Sequence, residues 1–456
     1  MTRRELLLAA VRNGETPRAA WVPFVGSHGG FLIGKSATDY LHSPDLIVEG
    51  LSRARELYDP DGLPVTFDLQ MEAEILGCGL MWADNGPPTV TTHPLAEGKS
   101  LADLPEFDSS RGRFPMAAEA ARKMRAQVGD EIGLYGLICG PFTLSLHLLG
   151  NNIFLQMFDD AAGVQELVMY CAEVGRKAAD VYIDAGCDVI AVVDPMVSQI
   201  SPEHFEQFVA GPANVVFDHI RGRGALSSFF CCGDATRNLK AMAQTGCDNI
   251  SVDENVDLAY IRDVAQAAGK SFGGNLQLTV VLLLGTEEGA KLHALERLDI
   301  GGTHGYIMAP GCDLPYNTPP ANVAAAGLMA TDEYQRQVAR TIVAENAHDS
   351  FDDVTVPDYQ SLPQVCIDLI TLDSATCAPC QYMRAAAERA AAEFRDRVIL
   401  REHKITTRPG IGMLTKLGVR NLPTICLDGE PKFISLIPDH KTLVAAIRER
   451  VDAKAS

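Results

Sequence analysis

Short apolar runs alternate with longer segments of helical periodicity along roughly the first 345 residues. The short runs are rich in β-branched and aromatic residues and are bounded by turn residues, which predicts strands. They are residues 21–25, 64–67, 132–137, 188–193, 226–231, 249–252, 271–272 and 306–308. About eight such alternations are typical of a (β/α)8 barrel, because parallel strands are joined through crossover helices. We therefore predict an α/β fold with a TIM barrel over residues 1–345.

The pattern changes after the barrel. Residues 346–364 show little periodicity and contain several aspartates and a proline, so they are predicted to be a linker. Residues 365–456 then resume as a smaller α/β domain, with a β-rich run at 365–371 and a helical segment at 381–395. Further strands are predicted at 398–402 and 425–427, and an amphipathic helix at 441–451.

Composition and charge exclude some classes of function for this protein. The chain has 456 residues and a formal net charge of −20, so it repels phosphate backbones, which argues against nucleic-acid binding. Its most apolar stretch, residues 276–285, is much shorter than the ~20 residues that span a bilayer. Arg12 and Glu15 follow the short apolar run at the N-terminus, which argues against a signal peptide. We predict a cytoplasmic protein that has no membrane partner.

Twelve cysteines in such a chain indicate thiol or metal chemistry rather than a disulfide framework. Cys377-Ala-Pro-Cys380 follows a predicted strand and begins a predicted helix. A helix N-terminus favours thiolate on the first cysteine, and the second lies one turn away, where it can close a disulfide. The alternative is half of a metal site, but no second C-x-x-C exists in the sequence, so we favour redox chemistry.

This segment resembles the thioredoxin family. Cys377-Ala-Pro-Cys380 matches the family's active-site motif, and Leu422-Pro423-Thr424 matches the loop whose proline follows a cis peptide. The resemblance implies that Cys377 is the nucleophile, that Cys380 is the resolving thiol, and that Pro423 faces the substrate. Thr376 stands where thioredoxins usually carry tryptophan, which favours a dedicated partner over general disulfide reduction.

Two more cysteines follow predicted barrel strands. Cys232 comes after the strand at 226–231, and Cys312 comes after the last strand. Because the carboxyl ends of barrel strands line one mouth, we expect these two cysteines to face each other, and Cys231 to point the other way. Two thiolates with a nitrogen or carboxylate ligand would hold zinc with one open position. The alternative is that they are small buried hydrophobic residues.

The barrel resembles the uroporphyrinogen decarboxylase superfamily, specifically its corrinoid methyltransferase branch. The matching stretches are residues 58–62, 72–79, 140–143, 185–190, 194–195, 200–203, 232–233, 251–254, 274–275 and 309–312. The family's zinc motif is His-x-Cys-Gly followed by a distant Pro-Gly-Cys. The resemblance therefore implies zinc on Cys232 and Cys312, but Phe230 occupies the histidine position. His304 is predicted as the third ligand, with Glu254 and His28 as alternatives.

Polar residues near the predicted strand ends supply further site candidates. Asp194 and Asp253 follow predicted strands and are predicted to be catalytic, as acid, base or a substrate-positioning group, unless they cap helices or face solvent in loops. His28 and Asn275 are predicted to bind substrate. Together with Cys377, Cys380 and Pro423, they complete the candidate site residues.

The favoured function is methyl transfer between a corrinoid and a thiol or folate-type acceptor, with a fused dithiol redox module. The corrinoid, a methylcobalamin, would reside on a partner protein, because the corrinoid-binding motif Asp-x-His-x-x-Gly is absent from this sequence. One alternative is a metal-free barrel that acts as a binding or redox-coupled module, with thiol–disulfide oxidoreductase activity in the C-terminal domain. The other is a decarboxylase, although residues 24–30 lack the arginine-rich signature of that branch. The sequence leaves open whether the chain forms a homodimer.

Overall fold

The computed structural model describes residues 1–342, 351, 353–374, 377–419 and 422–455. The chain divides into two compact units, Met1–Val343 and Ala344–Ser456. Residues 346–350 and 352 of the predicted linker lie outside the described residues, as does Thr376. Of the remaining linker residues, the carbonyls of Tyr359 and Leu362 accept hydrogen bonds from Lys454 Nζ. This part of the predicted linker therefore packs within the second unit.

Eight strands of the first unit form one sheet in which every pair is parallel. Its first and last strands pair through Ala20 and Ile307. A backbone hydrogen bond of 2.8 Å from Asp61 N to Trp21 O links the first strand to the second, so the sheet is nearly closed. The predicted TIM-barrel fold is confirmed. The strands are Ala20–Trp21, Gly62–Pro64, Gly133–Cys139, Val189–Val193, Leu226–Cys231, Asn249–Val252, Ser271–Leu276 and Tyr306–Pro310.

Helices surround this sheet. Those of at least seven residues are Arg3–Val11, Pro44–Tyr58, Phe114–Val128, Pro141–Leu149, Ile153–Asp159, Ala161–Asp184, Ala210–Gly222, Leu258–Ala267, Glu287–Gly301, Pro320–Thr331 and Glu333–Ile342. Shorter helices are His28–Leu32, Ala37–Tyr40, Met71–Ile75, Leu101–Asp103, Gly150–Asn152, Pro195–Gln199, Pro202–His204, Phe205–Val209, Thr236–Asn238, Leu239–Ala243 and Leu278–Leu283. An antiparallel hairpin, Leu80–Ala83 with Gly86–Val90, follows the second strand. No helix in the described part of the chain is both long and apolar enough to cross a membrane.

The barrel interior is filled by side chains from alternate strand positions and is closed at one end by the first helix. Thr2 and Glu5 form a capping box that fixes the start of this helix, and its apolar face joins the interior cluster. Toward the other end lie three aromatic rings, with Phe230 at 5.0 Å from Phe24 and 5.9 Å from Phe67 between ring centroids. The barrel is therefore a packed core whose aromatic layer lies beneath the carboxyl ends of the strands.

The second unit contains a four-stranded sheet. Its strand order is Val398–Lys404, Val365–Thr371, Thr424–Leu427 and Glu430–Ile434, with the first pair parallel and the other two pairs antiparallel. Its helices are Ala378–Ala392, Arg395–Arg397, Arg408–Lys416 and His440–Ala455. The sequence pattern did not predict the strand at Glu430–Ile434 or the helix at Arg408–Lys416, because both are short and only partly apolar.

Candidate active site

The structure joins Cys232 and Cys312 by a disulfide at the mouth of the barrel. Their Cα atoms lie 6.0 Å apart although they are 80 residues apart in the chain. Both follow the carboxyl ends of barrel strands and both are half-buried. Cys231 is fully buried, and its Sγ lies 3.9 Å from the carbonyl of Pro195. The prediction that Cys232 and Cys312 face one another, with Cys231 turned away, is confirmed.

The backbone next to Cys232 depends on glycine. Gly233 has a φ of +89°, in the left-handed region, and a Cβ there would meet Ser198 Oγ at 2.8 Å. Asp253 accepts a hydrogen bond from the backbone of Gly233 and two from Asn255, so it ties the loop after the sixth strand to the cysteine turn. Burial raises the pKa of Asp253.

Asp253 lies beside Cys232, whereas the next residue, Glu254, lies beside Cys312. A Cβ placed on Gly311 would lie 2.6 Å from Glu254 Oε2, so this oxygen borders the residue before Cys312. Oε2 is inaccessible to solvent and has no hydrogen-bond partner among the residues the structure describes. Burial, followed by the neighbouring charge of Asp253, raises the pKa of Glu254 well above its ordinary value. Glu254 Oε2 is therefore an unpaired carboxylate oxygen beside Cys312, and among the described residues Glu72 Oε2 is likewise without a hydrogen-bond partner.

The side chains at the mouth do not fit a zinc ion. The two sulfurs are bonded to each other and offer no thiolate, and Phe230 is a hydrocarbon locked into the aromatic layer. His304 precedes the last strand, at the opposite end from Cys312, where its Nδ1 lies 3.6 Å from Glu15. The structure thereby contradicts the prediction that His304 is the third ligand. Within the described ranges, no three acidic, histidine or cysteine side chains are grouped to hold a metal.

Asp194 is an internal anchor. Its Oδ2 accepts from Phe142 N at 3.0 Å, and its Oδ1 accepts from Thr143 N and Thr143 Oγ1 at 2.8 and 2.6 Å. It is fully buried, and burial raises its pKa to about 6. Its carboxylate therefore satisfies the first amides of helix Pro141–Leu149. These contacts favour the helix-capping alternative, and the catalytic role of Asp194 stays a prediction.

His28 and Asn275 also use their polar atoms inside the protein. The buried His28 donates through Nδ1 to the carbonyl of Tyr316 at 2.8 Å, so Nε2 accepts from Tyr58 Oη at 2.7 Å. Asn275 Nδ2 donates to the carbonyls of Asp253 and Val256 at 3.1 and 2.6 Å. Both residues lie near strand ends as predicted, but they hold loops in place instead of presenting free donors to a substrate.

The neutral state of His28 makes stability depend on pH. Burial lowers its pKa to about 4, below the ordinary 6.5, so below pH 6.5 the unfolded state binds more protons and stability falls. We expect the free energy of unfolding to fall by about 2 kcal/mol more between pH 7 and pH 5 in the wild type than in His28→Gln. Urea unfolding at both pH values measures this difference. His42→Gln, at an exposed position, is the control and should retain the wild-type fall; an equally steep fall in His28→Gln would contradict the assignment.

A second polar cluster, which the sequence pattern did not predict, follows the second strand. Arg113 forms an ion pair with buried Asp68, and its Nε donates to Glu74 at 2.9 Å. Glu72 Oε1 accepts from Cys139 N at 3.0 Å, and burial raises the Glu72 pKa to about 7. Asp68 directly follows the predicted strand at 64–67, and this position could have marked it as a site candidate. Its partner Arg113 is distant in sequence, and no sequence pattern indicated that the two would pair.

The C-terminal dithiol begins a fifteen-residue helix. Cys377 is its N-cap, with Sγ accepting from Cys380 N at 3.4 Å, and the two sulfurs form a disulfide. Cys380 is buried. Just before Cys377, Ser374 donates through N and Oγ to Glu402 at 3.1 and 3.0 Å. The peptide bond before Pro423 is cis. The geometry holds a half-buried sulfur at a helix N-terminus with a second sulfur beneath it.

Known proteins resemble the chain over most of the barrel. The family model described as uroporphyrinogen decarboxylase (URO-D) matches residues 2–330. Methylcobamide:CoM methyltransferase MtbA of Methanosarcina acetivorans is 29% identical over 266 residues, which cover 58% of this chain and 77% of that protein. Methylcobamide:CoM methyltransferase MtaA of Methanosarcina barkeri (strain Fusaro) is 28% identical over 302 residues, which cover 64% and 85%.

Similarity extends to three dimensions. A solved structure of a methyltransferase from Methanosarcina mazei has a TM-score of 0.66 and 26% identity to this chain, covering 73% of this chain and 99% of that one. The family model spans the eight barrel strands together with Cys232, Cys312 and the two carboxylates beside them. By its sequence and by the barrel that this sequence forms, the protein belongs to the uroporphyrinogen decarboxylase family.

Proposed function

We propose that the barrel transfers a methyl group from a methylated corrinoid to a thiol. The similarity to two methylcobamide:CoM methyltransferases over 266 and 302 residues carries this proposal. Methyl transfer from cobalt requires a soft nucleophile and a site that excludes water, and a thiolate above a packed barrel core satisfies both requirements. The aromatic layer formed by Phe24, Phe67 and Phe230 is the dry floor of that site.

Glu254 is proposed as the base that takes the proton of the acceptor thiol. Its Oε2 is free of hydrogen bonds within the described residues and borders Gly311 at the mouth. A carboxylate with a raised pKa is closer to the pKa of a thiol than an ordinary carboxylate is, which makes proton transfer more efficient. Asp253 supports it by holding the adjacent turn and by its charge. Of the two predicted catalytic aspartates, Asp253 keeps a role in this proposal.

A separate protein is proposed to deliver the corrinoid. Large exposed apolar side chains occur in segments between the carboxyl end of a strand and the long helix that follows it. These are Phe31, Met81, Leu155, Phe158 and Leu284. Leu155 and Phe158 are 67% and 75% exposed. Because such segments border the mouth of a barrel, these side chains form an apolar rim on which a partner can dock.

The decisive experiment supplies free methylcobalamin and a panel of small thiols to the fully reduced chain. We expect loss of the methylcobalamin spectrum together with formation of the methyl thioether, which mass spectrometry detects. Tetrahydrofolate serves as the alternative acceptor, and uroporphyrinogen tests decarboxylation. Formation of neither methyl thioether nor methyltetrahydrofolate, together with decarboxylation of uroporphyrinogen, would overturn the proposal in favour of the family's other reaction.

A second function, thiol–disulfide exchange, is proposed for the C-terminal unit. Its support is the placement of Cys377 at a helix N-terminus, the buried Cys380 one turn later, and the cis peptide before Pro423. The strand Val365–Thr371, which precedes the dithiol, lies second in the four-stranded sheet, between Val398–Lys404 and Thr424–Leu427. In this role Cys377 attacks a disulfide and Cys380 resolves the intermediate.

A further inference from the structure

The twelve cysteines fall into two sharply different groups. Eight are free thiols, all of them buried, and burial raises the pKa of each thiol. A thiol that is neither exposed nor ionised reacts slowly with disulfides and oxidants. The other four form two pairs, Cys232–Cys312 and Cys377–Cys380. Each pair includes at least one half-buried cysteine that solvent reaches.

The barrel pair is built as a disulfide site. Its cysteines lie in the turns after the fifth and eighth strands, and hydrogen bonds from other loops hold each turn. Asp253 holds Gly233 beside Cys232. Asp313, next to Cys312, accepts from Gly26 N at 2.7 Å, which ties this turn to the loop after the first strand. The aromatic Phe230, in place of a metal-ligating side chain, leaves the two sulfurs with each other as partners.

The C-terminal pair has the geometry of a reductant. The N-terminus of helix Ala378–Ala392 stabilises thiolate on Cys377, and the N–H of Cys380 donates to that sulfur. Glu402 accepts hydrogen bonds from Ser374, three residues before Cys377, and Arg384 closes this network with hydrogen bonds of 3.0 Å to Ser374 and 2.9 Å to Glu402. The attacking sulfur is therefore held in place while the resolving sulfur stays buried.

We propose that the Cys377/Cys380 dithiol is the reductant of the Cys232–Cys312 disulfide. This inference rests on the thiol–disulfide exchange proposed above for the C-terminal unit and names its substrate. The described residues contain no other disulfide that the dithiol could reduce. The eight free thiols are buried, so they compete poorly with Cys377 for the barrel disulfide. In this reaction the dithiol of the second unit reduces the disulfide of the first.

The reaction proceeds in two exchanges. The Cys377 thiolate attacks one sulfur of Cys232–Cys312, a mixed disulfide forms, and the other barrel cysteine leaves as a thiolate that takes a proton from water. Cys380, after losing its proton to water, attacks the Cys377 sulfur, so Cys377–Cys380 forms and the second barrel thiolate is released. Two electrons pass to the barrel pair. A low-molecular-weight thiol such as glutathione restores the C-terminal dithiol and is itself oxidised to its disulfide.

The test uses the full chain with both pairs oxidised. Dilute glutathione is added, samples are quenched in acid, and differential alkylation with mass spectrometry follows Cys232 and Cys312. We expect these cysteines to open at least about tenfold faster in the wild type than in the double variant Cys377→Ser, Cys380→Ser. The matched control Cys231→Ser, adjacent to the pair, should open at the wild-type rate. Equal rates in the wild type and the double variant would overturn the proposal.

A trapping variant gives an independent measurement. In Cys380→Ser the resolving thiol is missing, so we expect a mixed disulfide between Cys377 and either Cys232 or Cys312, which appears as a cross-linked peptide. Its absence would count against the barrel as substrate. In parallel, bis(2-hydroxyethyl) disulfide is offered to the reduced wild type. Reduction of this small disulfide without any trapped barrel peptide would retain the exchange activity and reject only the inferred substrate, whereas failure of both would reject the exchange activity as well.

Discussion

Methyl transfer by the Glu254→Gln variant is expected to be about 100-fold slower than by the wild type, because the acceptor thiol loses its base. The amide matches the carboxylate in size but takes up no proton. The buried Oε2 at the barrel mouth motivates this expectation, since it has no other partner among the described residues. The measurement is kcat for methyl transfer from methylcobalamin to the preferred thiol, with circular dichroism to show that the fold is retained.

The pH profile separates a base from a merely structural residue. The carboxylate acts as a base only when ionised, so the wild-type rate should rise with pH through the raised pKa of Glu254 and then level off. Removing the neighbouring charge in Asp253→Asn should move this rise to lower pH. Glu288→Gln, at an exposed position, is the matched control and should behave as the wild type. Unchanged kcat and an unchanged profile in Glu254→Gln would contradict the assigned role.

Cys377 is expected to react with iodoacetamide at least about tenfold faster than Cys380 at pH 7, once the chain has been reduced. The helix N-terminus favours its thiolate, whereas Cys380 is only 1% exposed. Brief alkylation followed by peptide mapping measures both rates in one sample. Cys366 and Cys426 of the same unit are internal controls, and they should be labelled only after unfolding because they are buried.

The same cysteine is expected to carry out the reduction of a small disulfide by the reduced chain. Cys377→Ser should abolish it to at least about 100-fold below the wild type, since the attacking sulfur is gone. Cys366→Ser removes a buried thiol from the same unit and should keep the activity. Equal labelling of Cys377 and Cys380, or reduction that survives Cys377→Ser, would remove the basis for a thioredoxin-like site.

Local pattern predicted much of the barrel. The strands Leu226–Cys231 and Asn249–Val252 match the predicted bounds. These elements are long or strongly apolar, so their periodicity is unambiguous. The strand predicted at 64–67 instead occupies Gly62–Pro64, because the apolar signal continues into the loop where Phe67 joins the barrel interior.

The sequence by itself determined the fold class, the family, and the facing of Cys232 and Cys312, because strand alternation and the shared carboxyl end of parallel strands follow from local periodicity. Only the tertiary structure decided which polar side chains remain free. Asp194, His28 and Asn275 lie near the carboxyl ends of strands as Glu254 does, yet amides, carbonyls and a hydroxyl from distant segments occupy their polar atoms. Those partners come from residues far apart in the chain, and a hydrogen bond between distant segments leaves no periodic trace in the sequence.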